Sequence, residues 1–114
     1  MPQHAELTPE RWAKFTRTQQ ILQIGVEMQR AIPFLRPDRM QWLRHGYERA
    51  LRLTDLTLQV QESPGLRREL SLWRRVIAEL YMRDEPDAVP HKLALRILLE
   101  LDAEAATQVQ YLEL

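Results

Sequence analysis

The spacing of the apolar residues constrains this chain most, because they recur every three and four positions over most of its 114 residues. Leu66, Leu70, Trp73, Ile77 and Leu80 follow a 4-3-4-3 rhythm, the seam of a heptad repeat. Leu43, Tyr47, Ala50, Leu51, Thr54 and Leu58 obey the same rule, and Trp42, Leu53, Leu56 and Val60 widen that sector. Opposite them, Gln41, His45, Glu48, Arg52, Asp55, Gln59 and Glu62 form an unbroken polar stripe. A period near 3.6 lines one face of an α-helix, whereas a half-buried strand alternates every two residues. With no strand-like run, βαβ alternation or internal repeat, the expected fold is all-α. The expectation is a single-domain antiparallel bundle of about four helices with a short carboxy-terminal extension.

Prolines and caps place the helices at about 8–31, 38–62, 64–84 and 90–104. Thr8-Pro9-Glu10 supplies an N-cap, a proline for the first helical position and an acid at the positive end of the helix dipole. Pro33 ends the first helix, and Pro37-Asp38 opens the second. Ser63-Pro64-Gly65 breaks the chain and caps the third. Asp84-Glu85-Pro86-Asp87 reads as a solvated acidic turn, after which Pro90 opens the fourth helix.

The fourth helix is the most apolar. Between His91 and Leu101 only the line Lys92-Arg96-Glu100 is charged, so Leu93, Ala94, Leu95, Ile97, Leu98, Leu99 and Leu101 cover about three-quarters of its circumference, more than a corner helix buries. That surplus predicts an interface built from Leu95, Leu98 and Leu99, joined by Tyr111 and Leu112 of the tail. Its partner is a second copy, with a dimer the first expectation, or another helical protein. The competing arrangement has the tail fold back over the fourth helix within one chain.

The functional inventory is short. There is no cysteine, which excludes thiolate metal sites, disulfides and cysteine nucleophiles. Three histidines occur (His4, His45 and His91) with no Glu-x-x-His pair, so no metal is expected. Ser63 is a cap and Ser71 lies on a solvated face. No Gly-x-Ser-x-Gly, Gly-x-Gly-x-x-Gly or Walker-type loop occurs, and no cofactor or catalytic residue is assigned. The apolar stretch from Leu93 to Leu101 is far short of the roughly 20 residues that span a bilayer. The start lacks a signal's basic and apolar regions, so a cytoplasmic address without membrane contact is expected.

Charge is balanced at 16 basic and 16 acidic residues, but fourteen of the basic residues are arginine. Arg39 and Arg44 belong to a run of six arginines against two acids between Arg30 and Arg52. Arg67 with Arg74, and Arg68 with Arg75, stack seven residues apart. If the two clusters adjoin, they offer a face for RNA or DNA backbone. The alternative is that they pair with Glu48, Glu69 and Glu79 while their stems cover apolar surface. Trp12, Trp42 and Trp73, on or beside apolar stripes, read as core or interface anchors.

Arg39 and His45 have five residues between them, and Gly46-Tyr47 follow. This segment resembles HEPN-domain ribonucleases, small helical bundles with an arginine, four to six residues, then a histidine. The resemblance covers about nine residues and implies RNA cleavage by a dimer with His45 in acid–base catalysis. Met40 departs from it, standing where that family has a polar residue. Positions six apart also lie about 120° from each other on an intact helix. The leading expectation is a non-enzymatic helical scaffold that binds itself or a partner, followed by nucleic-acid binding and then a ribonuclease.

Overall fold

The computed structural model describes residues 7–112; His4 and the last two residues lie outside that range. Within it the chain is all-helical: α1 (Pro9–Trp12), α2 (Arg17–Arg30), α3 (Met40–Val60), α4 (Pro64–Met82), α5 (Ala88–Glu100) and α6 (Ala103–Ala106). Short 3-10 turns occupy Ile32–Phe34, Pro37–Arg39 and Val109–Tyr111. Helices α2, α3, α4 and α5 close a ring, α3 packing on α2 and α4, and α5 on α4 and α2. This is the expected bundle.

The heptad seam of α4 is the core stripe: Leu66, Leu70, Trp73, Ile77 and Leu80 are all buried. On α3, Leu43, Tyr47, Ala50, Leu53, Leu56 and two threonines, Thr54 and Thr57, are buried. Each threonine hydroxyl donates to the carbonyl four residues back, at 2.7 and 2.8 Å, so it enters the core already satisfied.

Two expected helices are each two. The stretch 8–31 breaks after Trp12, where Thr16 and Gln19 form a reciprocal capping box that starts α2. Buried Gln20 supports the break, its amide donating to the carbonyls of Trp12 (3.0 Å) and Phe15 (3.1 Å). The bend lets α1 cross α3, where the Trp12 indole donates to Thr57 Oγ1 at 2.9 Å. The stretch 90–104 starts two residues earlier, at Ala88, and breaks at Leu101. Asp102 then caps α6, its Oδ2 accepting from the Ala105 amide (2.9 Å) and the Thr18 hydroxyl (2.7 Å). Arg17 ties the same corner down through Leu101 O at 2.9 Å and Asp102 at 3.4 Å.

That corner decides the fate of the surplus on α5. The carboxy-terminal segment folds back over α5, and α6 also reaches α2; Ala105 is buried, and Val109 and Leu112 pack on the core. Leu95, Leu98 and Leu99 are buried inside one chain, which corrects their assignment as an intermolecular surface. Of the five residues expected there, only Tyr111 is largely exposed.

Candidate functional site

The buried polar groups look most like machinery, so their partners decide what the molecule can do. His91 lies wholly inside the bundle, with Nε2 2.8 Å from Met28 O and Nδ1 2.7 Å from the Tyr47 hydroxyl. A carbonyl only accepts, so Nε2 carries the proton; Nδ1 is then the acceptor and Tyr47 the donor. Burial lowers the His91 pKa and raises that of Tyr47, so both stay neutral at pH 7. With both ring nitrogens satisfied and no exposure, this pair joins α2, α3 and α5 and has no path to a substrate. Glu27, also buried, meets Arg49 at 3.4 Å and Arg30 at 3.7 Å and ties α2 to α3.

The arginines are largely committed within the chain. Arg44 donates to the carbonyls of Tyr81 (3.4 Å) and Arg83 (2.8 Å), closing the carboxy-terminal end of α4. Arg67 does the same for α3 through Leu58 O and Gln61 O. Arg74 forms a two-point pair with Asp55 (2.6 and 3.1 Å), and that hydrogen bond raises its already high pKa. These contacts also set the geometry of the clusters. Arg44 sits level with the end of α4 and Arg67 near its start, roughly 20 Å apart at about 1.5 Å rise per residue. Among the described arginines, Arg39, Arg68 and Arg75 have no intrachain partner.

Concave regions add little catalytic chemistry. A dish of about 640 Å³ is lined by Glu48, Arg52, Asp55, Gln59 and Tyr81. Its ionic groups are engaged: Glu48 by the Tyr81 hydroxyl at 3.2 Å, Asp55 by Arg74, and Arg52 by Leu7 O at 3.5 Å. Among the described residues, no three acids or histidines are grouped to hold a metal. Arg39 precedes α3 in a non-helical conformation, and no hydrogen bond joins it to His45. The His45 ring instead meets Trp42 edge-on at 5.9 Å, and Trp42 lies 6.4 Å from Phe34. Trp12 and Trp73 are core residues, whereas Trp42 is half exposed.

What remains is an apolar face between α4 and α5. Leu72 (48% exposed), Val76 (42%), Leu93 (54%) and Ile97 (46%) form two i,i+4 pairs on adjacent helices. They flank a groove of about 280 Å³ floored by Trp73 and Ala94 and closed at its ends by Pro90 and Leu101. The groove exists because both helices spend their opposite faces on the core, while Trp73 donates to Ala94 O at 2.8 Å and holds them together. Arg68, Glu69, Arg75 and Glu79, all exposed and without intrachain partners, sit on the α4 side of this face. Leu93 and Ile97 belong to the expected surplus of the fourth helix. Leu72 and Val76 escaped the sequence reading, although their spacing on the side of α4 away from the seam marks them as a second stripe. A separate groove, lined by Leu22, Val26, Leu95, Leu99, Tyr111 and Leu112, is where the tail lies on α2 and α5.

No protein-family model, curated protein or solved structure matches this chain.

Proposed function

We propose that this chain is a helical interaction module that docks an apolar helical surface onto its α4–α5 face. The observation that carries this is the contiguous exposure of Leu72, Val76, Leu93 and Ile97 on two adjoining helices. Single exposed leucines are ordinary, but a contiguous apolar patch rimmed by charge is typical of a binding surface. Finishing the burial of four half-exposed side chains contributes roughly 3–6 kcal/mol, taken as half of their full transfer energies. Association entropy offsets much of this, so the rim must contribute to a stable complex.

The test is site-specific photocrosslinking in cells of origin. A photoreactive phenylalanine analogue at Leu72 or Leu93 is expected to give a discrete adduct, with none from the same analogue at exposed Gln29 or Gln59 as controls. Adducts no more frequent at Leu72 and Leu93 than at the controls would refute the reading.

A further inference from the structure

Taking the α4–α5 face as a docking surface, we infer that its occupant is a second copy of this chain, related by a twofold axis crossing α4 between Trp73 and Arg74. The inference rests on that reading of the face and adds a partner and a register.

Arg68 and Glu79 are exposed, lack intrachain partners and lie eleven residues apart, about three turns, so both fall on one line along the outside of α4. That line carries two unused cations, Arg68 and Arg75, and one unused anion, Glu79, so in an antiparallel pair Arg68 matches Glu79 while Arg75 stands level with Leu72 of the other copy. With the axis between positions 73 and 74, Arg68 of each copy stands level with Glu79 of the other, giving two equivalent pairs.

The same axis satisfies the apolar stripe independently. The bond from Trp73 Nε1 to Ala94 O (2.8 Å) brings the middle of α4 beside the middle of α5, within the reach of a tryptophan side chain. A twofold axis lying in the interface across both helices stacks α4 on α4 and α5 on α5. Leu93 of one copy then stands level with Ile97 of the other, and the two grooves close on each other. The charge register of α4 and the apolar register of α5 are compatible with one axis.

Size fits a weak dimer. The 19 residues of α4 span about 28 Å at about 1.5 Å per residue. Two helices side by side, about 10 Å apart, the second of only 13 residues, present a footprint of roughly 500 Å², below the roughly 800 Å² per partner of a standard interface and in the range of weak contacts.

The experiment is light scattering with sedimentation equilibrium on the full chain and on R68E, E79R, R68E/E79R and L93E. The expected wild-type species at about 100 µM has twice the mass of the 13.6 kDa chain. R68E and E79R should each weaken it about tenfold or more, the double variant should regain most of the loss, and L93E should be monomeric. Unchanged helical circular dichroism and melting of the monomers would show that folding is not at issue. A wild-type monomer, or a dimer indifferent to both charge reversals, overturns the inference. Crosslinked adducts from Leu93 at a mass other than two chains overturn it too, while leaving the docking face itself standing.

Discussion

The Tyr47 hydroxyl donates to Nδ1 of His91 across 2.7 Å, and the opposite ring nitrogen is held by Met28 O at 2.8 Å. Only the first contact requires Nδ1 to be unprotonated; the Nε2–H bond to Met28 O survives protonation and favours it, and burial is what holds the ring neutral.

A pH dependence follows from this. The folded pKa of His91 lies below its ordinary value of 6.5, so the unfolded chain binds the proton first as pH falls. The stability that the neutral ring contributes is complete above about pH 6.5 and is lost as pH falls from there through the lowered folded value, at up to about 1.4 kcal/mol per pH unit. Urea midpoints between pH 8 and pH 5 should therefore fall more steeply for the wild type than for His91→Gln. Equal slopes would show that His91 does not titrate on unfolding. Tyr47→Phe should cost about 1–3 kcal/mol at pH 7 by leaving a buried acceptor unpaired.

The leucines of α5 should divide by face. Leu95→Ala and Leu98→Ala remove buried side chains and should each cost about 2–5 kcal/mol, read as a lower thermal or urea midpoint. Leu93→Ala and Ile97→Ala, about half exposed, should shift monomer stability by no more than about 1 kcal/mol. A large loss from Leu93→Ala measured under monomeric conditions would contradict the exposed face.

The arginines should divide by partner. Arg44→Ala and Arg67→Ala each strip a helix end of its carbonyl donors and should cost about 1 kcal/mol. Arg74→Ala should cost less, because its pair with Asp55 is nearly half exposed and screened. Arg39→Ala and Arg75→Ala should change stability by under about 0.5 kcal/mol. Steeply salt-dependent binding to a single-stranded RNA oligonucleotide, lost with Arg44 and Arg67 together, would instead show that these arginines serve a joint basic surface.

Much of the bundle was legible because local rules carried it. Ser63 and Pro64 open α4 as read, and every member of the Leu66-to-Leu80 seam is buried. The missed breaks had local signals too: Thr16-x-x-Gln19 is a capping box, and Asp102 is a cap before three alanines and a glutamate. A continuous apolar rhythm masks them, since periodicity runs on across a bend whenever both halves pack on the same core. The burial of His91 is not legible beside Pro90, because its partners Tyr47 and Met28 stand 44 and 63 residues away in the chain.

The sequence by itself determined the helices and the stripe that each must bury, because side-chain spacing and capping act within a few residues. It also showed α5 to be too apolar for a corner helix. Only the tertiary structure decided which apolar residues stay outside. The turn at Leu101–Asp102, pinned by Arg17 and Thr18, swings the tail over Leu95 and Leu99, while Trp73 holds α4 close enough to α5 to leave Leu72, Val76, Leu93 and Ile97 side by side in water. Periodicity ranks the faces of one helix at a time, but exposure depends on which helix lies alongside, and that is set by contacts between residues far apart in the chain.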